Sequence, residues 1–262
     1  MLEVNALSKT FFPGTVNERQ ALRDIDLALQ DGDFVTVIGS NGAGKSTLLN
    51  MIGGRLQPDT GQVRINGKDV TRVAEHRRAR WGSRVFQDPM AGTAPHLTVE
   101  ENLAVALGRT RRQGFLPGVS RADRERFREE LKTLELGLEN RLQAEVGLLS
   151  GGQRQALSLL MATMTQPSIL LLDEHTAALD PQRAALVARL TAEIVQRDQL
   201  TTLMVTHNME QALQLGNRLV MMHEGEIILE VAAEEKARKT VQDLLTEFDK
   251  LGGQLSDRAL LQ

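Results

Sequence analysis

The chain has 262 residues, 41% of them hydrophobic, enough to bury a substantial core in one large domain or in a domain with an inserted subdomain. Its 31 basic and 34 acidic residues leave a net charge of −3, so nothing global argues for nucleic-acid binding, and the absence of cysteine excludes a disulfide framework or a cysteine metal site. No stretch approaches the ~20 apolar residues that span a bilayer, and Met1-Leu2-Glu3-Val4-Asn5 lacks the basic-then-apolar pattern of a leader, so a cytoplasmic protein is expected, with any membrane role coming through a partner.

Leu2 to Leu7 and Ala21 to Leu29 carry strand-like patterns, separated by the loop Thr10-Phe11-Phe12-Pro13-Gly14. Two adjacent aromatics there are candidates for stacking on a purine ring; a plain turn with one buried Phe accounts for them as well. Asp31-Gly32-Asp33 turns into the apolar run Phe34 to Ile38, which reads as a buried strand. The pattern G-x-x-x-x-G-K-[ST] follows from Gly39 to Ser46, and Thr47 to Ile52 reads as the opening of a helix. Across Gly39, Ser40, Asn41, Gly42, Ala43, Gly44, Lys45, Ser46 and Thr47, the glycines let backbone N–H groups converge at the positive end of a helix dipole, where a phosphate is expected. Lys45 would neutralise the β- and γ-phosphates, and the Ser46 hydroxyl suits Mg²⁺, a hard ion that prefers oxygen.

Pro58 to Gly61 turns into Gln62-Val63-Arg64-Ile65, and Asn66-Gly67 marks a hairpin. After the basic run His76-Arg77-Arg78-Ala79-Arg80, a short strand Arg84-Val85-Phe86 ends in Gln87, at the sheet edge where α/β folds bind ligands. From Pro89 to about Gly147 the pattern turns helical and charged: Thr98 to Glu101 forms a capping box, and Ser120 caps a helix with Phe127, Leu131 and Leu134 on one face. Its arginines at 109, 111, 112, 121, 124, 126 and 128 have acidic neighbours at 123, 125, 129 and 130; a solvated face is the favoured reading, a patch facing lipid headgroups or a partner the other.

Leu149-Ser150-Gly151-Gly152-Gln153 is more specific than the phosphate loop. Ser150 and Gln153 fit a capping box ahead of a helix from Arg154 to Met164, and the glycine pair leaves N–H groups free for a second anion site. Ser168 to Glu174 is a buried strand ending in two carboxylates, of which Asp173 can reach Mg²⁺ through its water shell and Glu174 can accept a proton from an attacking water. Asp180 caps a helix with Pro181 at its first position. The strand Thr202 to Thr206 ends in His207, the third polar residue after Gln87 and Glu174 delivered to one sheet edge, which marks it as a γ-phosphate contact. Leu219 to Met222 and Glu226 to Leu229 form a closing hairpin, and a charged tail carries a helix over Val241 to Leu251 before Gly252-Gly253.

Taken in order, these motifs resemble the ATP-binding subunits of ABC transporters over roughly residues 1 to 230: the phosphate loop, a Q-loop glutamine at Gln87, the signature Leu149 to Gln153, the Walker B pair Asp173 and Glu174, the D-loop Ala178-Leu179-Asp180 and a switch histidine at His207. The resemblance implies an α/β P-loop NTPase core with a mostly parallel sheet and an N-terminal antiparallel β subdomain (1–88 and 158–231), an inserted helical subdomain (89–157) and a C-terminal extension (232–262). It implies catalytic roles for Glu174, His207, Gln87 and Lys45, and magnesium ligation by Ser46, Gln87 and Asp173. ATP contacts are implied for Phe11, for the loop from Gly39 to Thr47, and for Ser150, Gly151, Gly152, Gln153 and Asp180. Two copies would dock head to tail, sandwiching two ATP molecules, beside a transmembrane permease and a substrate-binding protein on the inner face of the cell membrane. Import of a small solute such as an amino acid is the expected use; an exporter ATPase, or an ABC-type ATPase acting on nucleic acid or ribosomes, is the alternative. Departures from the family pattern are His175 for proline, Ala177 for serine, and Phe11 where tyrosine is frequent.

Overall fold

A computed structural model describes residues 1–108 and 118–250 of the chain. The predicted arginines at 109, 111 and 112 and the tail from residue 251 lie outside them. The chain opens with β1 (Leu2–Phe11) and β2 (Arg19–Leu29), followed by β3 (Phe34–Gly39), α1 (Lys45–Gly53), β4 (Thr60–Ile65), β5 (Lys68–Asp69), α2 (Glu75–Arg78) and β6 (Gly82–Val85). Helices α3 (Val99–Leu107), α4 (Arg121–Lys132) and α5 (Gly151–Thr163) come next. Then β7 (Ile169–Asp173), α6 (Pro181–Arg197), β8 (Thr202–Val205), α7 (Met209–Gln214), β9 (Arg218–His223) and β10 (Glu226–Val231) complete the core, ahead of α8 (Ala233–Lys236) and α9 (Val241–Lys250).

These elements build the expected α/β architecture around a mixed sheet ordered β10-β9-β3-β8-β7-β6, in which only the edge strand β10 runs antiparallel. A strand covered on both faces needs an unbroken apolar run, and every residue of β3 is buried. A second, antiparallel sheet in the order β2-β1-β4-β5 packs Leu2, Val4, Leu7, Ile25 and Leu27 over α1 and the lower face of the main sheet. The parallel register matters most for function. Val85, Leu172, Met204 and Thr36 stand side by side on β6, β7, β8 and β3, so Gln87, Glu174 and Thr206, each two residues further on, emerge together at one edge.

Element bounds differ from the sequence reading by a residue or two at several strands, and three differences bear on the site and its setting. β1 runs to Phe11, which pairs with Arg19, so Phe11 closes a ladder instead of lying in a loop, while Phe12 beyond it is exposed with a positive φ of 52°. The basic run at 76–80 contains the short helix α2, because the buried Arg78 turns inward and donates to Met51 O at 2.6 Å, Ile52 O at 2.9 Å and Thr71 O at 2.7 Å. A guanidinium on the last carbonyls of α1 complements the negative end of that helix's dipole. Helix α5 starts at Gly151, earlier than Arg154, so the signature glycines form its first turn. Capping boxes stand at Thr98/Glu101, Ser120/Asp123 and Ser150/Gln153.

The helices between β6 and β7 pack Phe127, Leu131 and Leu134, all fully buried, against α5. On α4, Arg124 pairs with Glu100 at 2.8 Å and Arg126 donates to Met164 O at 3.2 Å, whereas Arg121 projects into solvent beside Glu125. At the far end, α9 presents Leu244, Leu245 and Phe248 to Ile38, Met209, Ala212 and Met221. Buried Lys236 anchors α8 by donating to Leu215 O, to Gly216 O at 3.1 Å and to Thr36 Oγ1 at 3.4 Å. Lys236→Met should therefore leave carbonyls at the end of α7 unpaired and lower unfolding stability by about 2 kcal/mol, measured by urea denaturation; unchanged stability would show that α8 does not depend on this anchor.

Candidate active site

The loop after β3 is shaped by glycines that no other residue could replace. A Cβ on Gly39 would lie 2.1 Å from Met222 O, and one on Gly44 would lie 2.5 Å from Ala21 O. Gly44 also serves as the N-cap of α1 in a left-handed conformation (φ 100°), with no side chain to take up the first-turn N–H groups. Those donors face a cleft lined by Phe11, Arg19, Ala21, Asn41, Gly42, Ala43, Gly44, Lys45, Ser46, Thr47 and Glu174. Gly39 and buried Ser40 lie beneath it, where Lys45 Nζ donates to Gly39 O at 2.5 Å and Ser40 O at 3.0 Å. Arg19 was not singled out from the sequence. It faces Phe11 across the β1–β2 ladder and donates to Gly42 O at 2.6 Å, a placement that only the strand register reveals.

Behind the loop stand Asp173, the last residue of β7, and Glu174 just beyond it. Glu174 lines the cleft in a left-handed conformation (φ 45°), its N–H held by Val205 O at 2.9 Å. Its Oε2 lies 3.4 Å from His207 Nδ1. The hydrogen bond from His207 holds the Glu174 carboxyl below its ordinary value against the opposing effect of burial, and the same bond raises His207 above its own. For the lowered acid the stabilising share is present above 4.5 and lost as pH falls through the folded value; for the raised base it is present below 6.5 and lost as pH rises through the folded value. The pair is thus fully formed between about pH 4.5 and 6.5. Asp173, next in line, is paired with Arg84.

Polar contacts between elements hold these groups in register. Gln155, fully buried on α5, donates to Phe86 O at 3.1 Å, one residue before the exposed Gln87. Gln211 on α7 donates to Thr176 Oγ1 at 3.1 Å and accepts from Thr206 Oγ1 at 3.1 Å, linking the segment after Glu174 to the one before His207. His175 is fully enclosed, and burial pushes its imidazole down to about 4, so it is neutral. Thr191 Oγ1 donates to Val187 O at 2.8 Å and so accepts from His175 Nε2 at 2.9 Å, which ties this segment to α6 where a proline would make no such bond. Ala177 is exposed.

The signature residues stand apart. Ser150 Oγ accepts from Gln153 N at 3.3 Å and Gln153 Oε1 from Ser150 N at 3.1 Å, while Asp180 caps α6 by accepting from Arg183 N at 3.2 Å. A Cβ on Gly152 would press on the Arg183 side chain at 3.1 Å and one on Gly151 would lie 3.5 Å from Leu179, so the signature glycines lie beside the D-loop and the first turn of α6. The structure brings Phe11, the loop from Asn41 to Thr47 and Glu174 to one cleft, with His207 reaching it through Glu174; Ser150, Gly151, Gly152, Gln153, Asp173, Asp180 and Gln87 do not line it.

The family model described as "ABC transporter" matches residues 22–177. A tyrosine transport ATP-binding protein of Clostridioides difficile is 44% identical over 253 residues, covering 95% of this chain and 99% of the relative. A methionine import ATP-binding protein of Enterococcus faecalis is 34% identical over 254 residues, 95% of this chain and 70% of the relative. Among solved structures, a dimeric ATP-binding cassette in a post-hydrolysis state bound to ADP and Pi superposes with a TM-score of 0.75 at 30% identity, over 89% of this chain and 99% of that one. An ABC-transporter cassette in its ADP conformation gives 0.76 at 28% identity, over 97% and 99%.

The Glu174–His207 pair can be tested directly. With the carboxylate removed in Glu174→Gln, the influences left on His207 are burial and Lys45, both of which lower its pKa. An NMR titration of the His207 ring should therefore show a midpoint below 6.5 in the variant and above 6.5 in the parent chain; equal midpoints would mean that the pair does not form in solution.

Proposed function

The chain belongs to the ABC transporter family as an ATP-hydrolysing cassette, and from that premise we propose that two copies dock head to tail, each ATP lying between the phosphate loop of one and Ser150, Gly151 and Gly152 of the other. The dimer would sit on the inner face of the membrane under a permease and power import of a small solute such as an amino acid, delivered by a substrate-binding protein. The observation that carries this reading is the separation of the two anion-binding helix termini: the start of α1 opens into the cleft, whereas the start of α5 does not line it. A glycine-rich helix start that lies outside its own cleft would serve a phosphate held by another copy. Among the described residues no helix is long and apolar enough to cross a membrane, so coupling would pass through a partner chain.

In the assembled site Phe11 would stack on the adenine, and the N–H groups from Asn41 to Thr47, with Lys45, would hold the phosphates once Lys45 leaves Gly39 O and Ser40 O. Among the described residues no cluster of three or more His, Asp or Glu could hold a metal alone. The oxygen donors of Ser46, Asp173 and Gln87 fit magnesium arriving with nucleotide phosphates, and that ion would supply charge neutralisation at the β- and γ-oxygens. Glu174, ionised and steered by His207, would accept the proton of the attacking water, and His207 would then contact the γ-phosphate. Binding closes the dimer and hydrolysis opens it, with the segment from Gln87 to Leu103 passing the motion to the permease.

Glu174→Gln should retain ATP binding while slowing turnover by about 10² or more, so an ATP-dependent dimer should accumulate in size-exclusion chromatography with light scattering. Steady-state hydrolysis near the parent rate, or a monomer at saturating ATP, would reject this reading.

A further inference from the structure

Arg84 has no place in the motif pattern, yet it holds two polar groups adjoining the site, the Asp173 carboxylate and the Asn50 side chain of α1. It lies on β6 beside Leu171, two residues before Asp173 on the adjoining strand, and leans along the strands to pair with the Asp173 carboxylate. Its Nη1 donates to Asn50 Oδ1 at 2.6 Å, and its Cζ stands 5.0 Å from the Phe86 ring centroid. Asn50 and Ser46 are four residues apart on α1, one helical turn along the same face, so the guanidinium lies about one turn below the Ser46 hydroxyl. Both partners are largely withdrawn from water, with 12% and 16% of their side-chain surface exposed, where charges act on each other strongly. Arg84 Nε is buried without an acceptor, so the guanidinium is not fully satisfied where it sits.

We propose that Arg84 is a built-in counter-cation that competes with magnesium for Asp173 and so sets how tightly the metal couples to bound nucleotide. The arginine keeps a largely buried carboxylate from standing unpaired. When a divalent ion arrives with the phosphates, Asp173 must be shared, and the fixed positive charge one turn below Ser46 opposes the ion. The inference rests on the magnesium-nucleotide reading of the cleft given above.

The coupling is read as the factor by which saturating Mg²⁺ tightens binding of fluorescent ADP relative to EDTA, measured on the full chain without turnover; linkage makes it equal to the factor by which ADP tightens the metal. Arg84→Met and Arg84→Gln, which remove the charge, should raise this factor about fivefold or more, whereas Arg84→Lys should keep it within about twofold of the parent. A factor that is unchanged or smaller in the neutral variants, or raised equally in Arg84→Lys, would overturn the inference. Should the neutral variants fail to fold, the Arg84 Nε–H resonance of the parent chain, assigned by its loss in Arg84→Lys, decides the matter: it should move when Mg²⁺ is added to the ADP-bound chain, and a stationary signal overturns the proposal. Failure of the parent chain to bind ADP would instead bring down the reading of the cleft.

Discussion

Everything at this site depends on a helix start that carries no capping side chain. A helix start ordinarily satisfies one of its first donors with a capping side chain, as Thr98, Ser120, Ser150 and Asp180 do elsewhere in this chain. At α1 the cap is Gly44, which has no side chain to offer, and β3 delivers it at the edge where Glu174 and His207 also emerge. The rest of the architecture keeps that opening in place. The close approach of Met222 and Ala21 fixes the loop's path, and Arg78 neutralises the opposite end of α1.

If the cleft receives a polyanion and a divalent ion, as proposed, its own charges have to be balanced first. Here each carboxylate at the end of β7 has a basic partner, Arg84 for Asp173 and His207 for Glu174 just beyond the strand, and Lys45 is folded onto the carbonyls of its own loop. Each of these contacts is made by a group that the proposed chemistry needs elsewhere. On the proposed reading a nucleotide would bind by exchanging these internal contacts for its own, which would link occupancy to the positions of β6, β7 and the His207 loop. Gln155 and Gln211 extend that linkage into α5 and α7 through direct hydrogen bonds.

What could be read from the sequence was what is local. The phosphate loop, the capping boxes and the apolar runs of β3, β7 and β8 each declare themselves within a few residues, because glycine conformation, cap chemistry and strand burial are near-neighbour effects. Convergence of Gln87, Glu174 and His207 followed from parallel strands sharing an edge. Arg19, Arg78, Arg84, Gln155 and Gln211 were missed because their roles depend on a side chain crossing between elements distant in sequence; in the one-dimensional record Arg78 is one member of a basic run and Arg84 one residue of a short strand. His175 was visible only as a departure from the family pattern, and its bond to Thr191 became legible once α6 was seen packed over it.

The claim on which the account turns is that each ATP site is shared between two copies, and mixed dimers test it most directly. Lys45→Ala damages the cradle and Ser150→Arg the lid, so a homodimer of either variant has a lesion in both of its sites and should not hydrolyse ATP. In a heterodimer of the two, one site collects both lesions and the other joins two intact halves. With differently tagged chains purified as verified heterodimers, together with any permease they require, the account predicts recovery of ATPase activity that neither homodimer shows. Heterodimers as inactive as their parents would contradict it, since a site formed within one chain leaves every chain carrying its own lesion.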